Sequence, residues 1–294
     1  EMCIRDSYSL DNLSSSLELA YVNLKARHNL NFTIGKQFVN FGGYEYYVNS
    51  IRVREFSEFN NLLTAYQAGI SGNWQVSPDH ELCFQIVNNR NGNDEDIYPT
   101  GLPEGTAKAK IPFMYTVNWN SYYLDKSLQL RYATAVGQQT RKRYSYYFTC
   151  GNTYEKGPLL TYLDVMYTRQ GIDQHGVVSR LPGTPHTAMN TEYLSIIGDV
   201  DYRVHPQWNV YVKGAYETAR VYKGNGDFRK GMYRRSWNAQ SSVEFFPFKQ
   251  FDLFVFVLYT YRGVILEKAA TRMGAIEPDT HRISLGLVYS IPVF

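Results

Sequence analysis

Between Phe38 and Leu62 the chain reads FVNFGGYEYYVNSIRVREFSEFNNL, a stretch that holds Glu45, Arg52, Arg54, Glu55 and Glu58 among aromatic residues. Arginine presents a planar fork of donors that matches carboxylate or phosphate oxygens in pairs. Arg52 and Arg54 can therefore contact an anion such as phosphate, pair with Glu55 and Glu58, or simply solvate a loop. Arg131 and Lys213 are two further cationic candidates, each on the polar face of an alternating segment.

Other chemistry is sparse. The chain has no Gly-x-Ser-x-Gly elbow, and His80-Glu81 runs into Leu82-Cys83-Phe84 where a zinc protease needs a second histidine. Asp173, His175, Ser179 and His186 share one stretch, a weak match to a hydrolase set, and no enzymatic activity is expected. The acidic run NNRNGNDEDIY (88–98) lacks calcium-loop spacing. It reads more simply as a solvated loop than as a divalent-cation site or a bridge to lipopolysaccharide. Cys3, Cys83 and Cys150 are odd in number and lack metal-ligand spacing, so neither a disulfide framework nor a metal or other cofactor is expected. No basic stripe with interleaved aromatics points to nucleic acid.

The elements that must position these residues show in the run FDLFVFVLYTY at 251–261. It is about half the roughly 20 residues that a membrane-spanning helix needs, but it matches the roughly 9–11 of a tilted transmembrane strand. Thirteen such segments alternate along the chain, near 14–26, 29–37, 63–76, 80–90, 111–121, 127–138, 143–152, 158–170, 191–204, 207–221, 233–246, 251–264 and 280–294. At 207–221, Trp208, Val210, Val212 and Tyr216 share one face, and Asn209, Lys213 and Glu217 share the other. At 191–204 the polar face carries Ser195, Asp199, Asp201 and Arg203. At 233–246, Tyr233, Trp237 and Val243 oppose Arg234, Gln240 and Glu244.

These polar sets would need wholesale pairing in a dry core, so a water-filled lumen is expected to hydrate them. Their mixed signs predict weak ion selectivity. Short connections alternate with mostly longer ones, as in an up-and-down barrel with tight periplasmic turns and long outer loops. Aromatics such as Trp208, Phe245, Phe246, Phe248 and Phe251 gather where strands meet turns, as interfacial girdles do. The expected fold is therefore all-β: a transmembrane antiparallel up-and-down β-barrel forming a single domain over 1–294.

Barrels of this kind have even strand numbers. Thirteen strands therefore predict at least one further strand upstream, with EMCIRDS at residues 1–7 read as a foreign edge. The C-terminal Phe294 is similar to the terminal aromatic by which barrel assembly machinery recognises outer-membrane proteins. It is out of phase with Ile283, Leu285, Leu287, Tyr289, Ile291 and Val293, and Pro292 is expected to mark a compensating bulge. On the 251–261 strand, Phe254, Phe256 and Leu258 form an apolar patch on the lumen face, which predicts contact with an infolded loop, the stretch 38–62.

Residues 30–74, LNFTIGKQFVNFGGYEYYVNSIRVREFSEFNNLLTAYQAGISGNW, resemble the phosphate-selective porin O and P family. There a strand ending in Ile-Gly-Lys/Arg-Gln leads into an aromatic Phe-Gly segment, and Gly69, Ile70 and Gly72 loosely match the strand that follows. The chain departs at Asn40, where the family has proline before Phe-Gly, and at Arg54-Glu55-Phe56-Ser57. The resemblance implies a sixteen-stranded barrel, often trimeric, in the bacterial outer membrane, passing small solutes or anions, with lipid and lipopolysaccharide around it. In a sixteen-stranded count, 38–62 is the third outer loop, which narrows the pore. No arginine ladder is evident, so a general diffusion channel is expected over a phosphate-specific one. The alternative is a non-conducting barrel for adhesion or structure, plugged by its loops.

Overall fold

The computed structural model describes residues 18–48, 52–89, 98, 100–248 and 253–290. Within them lie thirteen strands: β1 (Ala20–Arg27), β2 (Leu30–Phe38), β3 (Tyr66–Ser77), β4 (His80–Asn88), β5 (Phe113–Tyr123), β6 (Leu128–Thr140), β7 (Arg143–Lys156), β8 (Leu159–Ile172), β9 (Met189–His205), β10 (Trp208–Val221), β11 (Gly231–Phe245), β12 (Leu253–Leu266) and β13 (Thr280–Tyr289). Each pairs antiparallel with its neighbours in sequence, so one sheet runs in order from β1 to β13. Every alternating segment of the sequence holds a strand within its described residues. Phe251, the acidic loop at 90–97 and the C-terminal Phe294 lie outside the described residues.

Connections at 28–29, 78–79, 124–127, 157–158, 206–207 and 246–252 leave one end of the sheet. Those at 39–65, 89–112, 173–188, 222–230 and 267–279 leave the other, where only 141–142 is brief. The alternation expected of an up-and-down barrel is thus present.

Side chains sort by period two. On β10, Trp208 and Val212 are exposed while Asn209, Lys213 and Glu217 are buried. On β9, Ile196, Val200 and Tyr202 face out and Ser195, Asp199 and Tyr193 face in. The outward apolar surface is continuous over many strands, far beyond the patches that water-facing surfaces carry.

Two residues depart from the places that the sequence pattern gave them. Tyr233 is buried rather than facing outward with Trp237. The β10–β11 register skips at this point, pairing Ala219 with Arg234 and Arg220 with Met232. That bulge turns Tyr233 inward, and its hydroxyl donates to the Arg229 carbonyl at 3.1 Å. Phe246, expected in the girdle, instead packs against Phe254 at 4.9 Å and under the Arg203 guanidinium. Trp208 and Phe245 keep the girdle position, their rings 4.7 Å apart.

The sheet's concave interior is filled. Residues of the connections at 39–65, 173–188, 222–230 and 267–279, among them Phe41, Phe59, Val178, Phe228 and Ala270, share one buried cluster with wall residues such as Met166 and Ile197. Part of the polar inner face is therefore covered by loop residues, where the sequence pattern had all of it facing water. Lys213 and Glu244 are each 2% exposed and Arg234 5%. Burial is tolerated because the long loop at 39–65 supplies the opposite charges.

Candidate pore constriction

The loop between β2 and β3 enters the barrel and carries two single-turn helices, α1 (Tyr44–Tyr47) and α2 (Glu58–Asn61). Helix starts leave backbone N–H groups without partners, and here carboxylates of the wall accept them. Asp164 of β8 accepts from the Tyr44 and Glu45 backbone N–H groups at 2.8–2.9 Å. Glu217 of β10 accepts from Glu58 and Phe59 at 3.2 and 3.0 Å, and from the Ser195 hydroxyl at 2.9 Å. Gly42 and Gly43 hold φ of 79° and 83°, a region that glycine enters without strain. A Cβ on Gly151 of β7 would stand 2.6 Å from the Gly43 Cα, so the loop backbone touches the wall there.

Glu45 joins the two halves of the loop. Fully buried, it accepts from the Ser57 backbone N–H and hydroxyl and from the Asn60 amide, and it pairs with Lys213 of β10. The Lys213 ammonium also donates to the Glu55 carbonyl at 2.6 Å. Nothing in the sequence singled out Asp164, although one acid in the otherwise mostly apolar LLTYLDVMY is a signal of an inward polar contact.

The charged candidates of the sequence divide by role. Arg54 pairs with Glu244, its Nε 2.8 Å from Oε1, and its guanidinium lies 5.1 and 5.8 Å from the ring centroids of Phe254 and Phe256. The apolar lumen patch on β12 is thus covered by the infolded loop, through an arginine's flat face. Glu55 pairs with Arg282 of β13, and Glu58 with Arg234 and Arg262. Arg131 lies 4.5 Å from the centroid of the Tyr47 ring. Lys213 is inside the anchor. Arg52 alone among the loop arginines is exposed. It lies beside the Tyr44 hydroxyl at a cavity of about 560 Å³ under the loop. That cavity reaches Gly157 and Pro158 at the short-turn end of the sheet, and its walls include Asp199, Asp201, Arg203 and Tyr211.

The hydrolase-like set does not assemble. Asp173 accepts from the Ser179 backbone N–H and hydroxyl at 2.9 and 2.7 Å and from the Gly176 N–H at 2.9 Å, folding the 173–188 loop on itself. His175 sits between the rings of Phe59, Tyr147 and Tyr193, and neither ring nitrogen has a hydrogen-bond partner. Burial pushes its pKa down to about 3.

A meander of long strands, apolar outside and polar inside, with an infolded loop tied to its wall, defines a transmembrane β-barrel of the porin class. Solved outer-membrane proteins share the fold. A loop L8 deletion mutant of OmpT from Vibrio cholerae is 12% identical, with a TM-score of 0.55 over 92% of this chain and 78% of that one. The outer membrane channel DcaP of Acinetobacter baumannii is 10% identical, with a TM-score of 0.53 over 87% of this chain and 70% of that one. OccK8 (OprE) of Pseudomonas aeruginosa is 13% identical, with a TM-score of 0.51 over 93% and 71%. No curated protein sequence matches the chain. Residues 5–291 match the family described as phosphate-selective porin O and P, and the chain belongs to that family. It is an outer-membrane channel protein for solute diffusion.

Proposed function

We propose that the chain forms a passive diffusion channel for small solutes, anions included, in which the 39–65 loop is the constriction and Arg52 its solute-facing cation. The observation that carries this is the division of labour among the loop's charges. Arg54, Glu55 and Glu58 are tied to the wall, while Arg52 remains exposed beside the cavity at the short-turn end. By the usual placement of short turns, that end is periplasmic. Phosphate passes by this reading as one small anion among others, since a single exposed arginine is not a ladder of sites. Homotrimeric assembly, lipopolysaccharide contact and recognition by the barrel assembly machinery belong to the same reading, supported by family membership.

The test is the bi-ionic reversal potential of the full-length protein in planar bilayers. Arg52→Ala is expected to lower the anion/cation permeability ratio, and Arg54→Ala to change it less. An unchanged ratio in Arg52→Ala clears that residue of the role. A second reading, a non-conducting barrel for adhesion or structure, is favoured by the loop residues that fill the interior. An absence of conducting steps from the folded full-length protein would establish it over the first.

A further inference from the structure

The cavity under the loop holds charges of both signs that the fold does not use. Asp199 of β9 is 4% exposed, and no cation pairs with it: the Tyr211 hydroxyl, on the same cavity wall, is the one donor beside its carboxylate among the described residues, and it is not in regular hydrogen-bond geometry. Its register partner on β10 is Lys213, but that ammonium donates to Glu45 and to the Glu55 carbonyl instead. A buried carboxylate that faces one phenol and no cation loses more in hydration than it regains. Across the cavity stand two guanidinium groups. Arg52 lies beside the Tyr44 hydroxyl, and Arg203 lies 3.7 Å from the centroid of the Phe246 ring. Among the described residues neither pairs with a carboxylate. Tyr44 is within electrostatic reach of both Arg52 and Asp199, so opposite charges flank one phenol.

We propose that this cavity is a binding subsite for small zwitterionic solutes, with the ligand's ammonium donating to Asp199 and its carboxylate accepting from Arg52 and Arg203. A purely anionic ligand satisfies the arginines and leaves Asp199 without a cation. A purely cationic one does the reverse. Only a solute with both charges completes the set, and about 560 Å³ accommodates an amino-acid-sized molecule. Of the other charged wall groups, Glu244 holds Arg54, Asp201 accepts from Asn209 at 2.7 Å, and Glu155 is exposed at the edge of the cavity, where water solvates it. The transport consequence rests on the channel reading above, whereas the binding itself does not.

Three probes of nearly equal size separate the possibilities: 4-aminobutyrate, butyrate and butylammonium. Binding to the full-length protein in detergent is measured by calorimetry, and block of ionic current in planar bilayers is measured in parallel. 4-Aminobutyrate is expected to bind at least about tenfold more tightly than either single-charge analogue, since each charge-assisted contact left unmade costs at least that factor. Asp199→Asn is expected to bring 4-aminobutyrate down to the level of butyrate, and Arg52→Gln with Arg203→Gln to bring it down to butylammonium. Heat-modifiable gel migration verifies that each variant folds, and the wild-type comparison stands without them. Butyrate or inorganic phosphate binding as tightly as 4-aminobutyrate overturns the proposal, because the site would then recognise anions alone. Binding without current steps sinks the channel reading and leaves the subsite intact. Current steps without a preference for 4-aminobutyrate do the opposite.

Discussion

The two arms of the infolded loop are held to the same barrel by different physics. The first arm, from Phe38 to Tyr47, is aromatic. Phe38 packs against Tyr46 and Tyr47 at 4.5 and 5.1 Å, Phe41 against Tyr147 at 5.0 Å, and Tyr44 against Tyr162 at 4.9 Å. The second arm, from Arg52 to Asn61, is charged, and its partners are Glu244, Arg282, Arg234 and Glu217. Ring packing responds little to salt, while exposed ion pairs weaken as added salt shortens the Debye length from its roughly 8 Å at physiological ionic strength. A loop built this way has one arm that responds to ionic conditions at its rim and another that does not. Two proteases report on them separately: chymotrypsin at the tyrosines of the first arm and trypsin at Arg52 and Arg54 of the second.

The largest disturbance is expected at the hinge between the arms. Lys213→Met leaves Glu45 buried with no cation, at a cost of about 3–5 kcal/mol. Both proteases should then cut the loop faster. Lys213→Met with Glu45→Met should restore much of the protection, since a buried ion pair is replaceable by apolar groups of similar volume. Protection unchanged in the single variant would show that Glu45 is not the joint. A more selective break is Gly151→Ala, whose Cβ meets the Gly43 Cα at 2.6 Å. Overpacking of this kind costs roughly 1–3 kcal/mol. It should expose the tyrosines to chymotrypsin before it exposes the arginines to trypsin, and equal exposure would mean that the arms move as one.

A gentler lever is pH. His175 is buried against Phe59, so it joins the 173–188 loop to the second arm. Its folded pKa of about 3 lies below the ordinary 6.5. The open state therefore binds the proton more readily, and this contact's stability is complete above about pH 6.5 and falls as the pH drops toward 3. Cleavage by the acid protease pepsin at Phe56 and Phe59 of the second arm, scaled to its cleavage of a free peptide at the same pH, should rise as the pH falls through the lower part of that window and flatten in His175→Phe. The same slope in both proteins would assign the pH response to other groups.

Much of the fold was legible because a strand's period of two writes itself into neighbouring residues, as Trp208, Val210 and Val212 against Asn209 and Lys213 show. Phase errors were legible too: Phe254, Phe256 and Leu258 on a polar face signalled a loop contact, and Arg54 makes it. The partners in that contact were not legible. Arg54 and Glu244 are 190 residues apart, and Lys213 and Glu45 are 168. No local pattern selects one acid of a barrel wall over another. The burial of Lys213 and Glu244 was missed for the same reason, since it depends on what a distant loop brings. Tyr233 was misplaced by a bulge, where one extra residue reverses the phase.

The smallest expected effect lies at the rim, where Arg282 of β13 meets Glu55. Arg282 is 57% exposed and Glu55 29%, so solvent screens the pair and its loss costs under about 1 kcal/mol. Glu55 has other holds: its carbonyl accepts from Lys213 and from Gln240, and its carboxylate from the Thr260 hydroxyl at 3.3 Å. Arg282→Ala should therefore raise trypsin cleavage at Arg52 and Arg54 by no more than a few-fold, and chymotrypsin cleavage not at all. Raising the salt to 1 M should give a small change of the same sign in the wild type and a smaller one in the variant, where the Glu58–Arg262 pair is still exposed to screening. If Arg282→Ala instead loosened the loop as far as Lys213→Met does, the anchor would lie at the exposed rim and the buried Glu45–Lys213 pair would be a passenger.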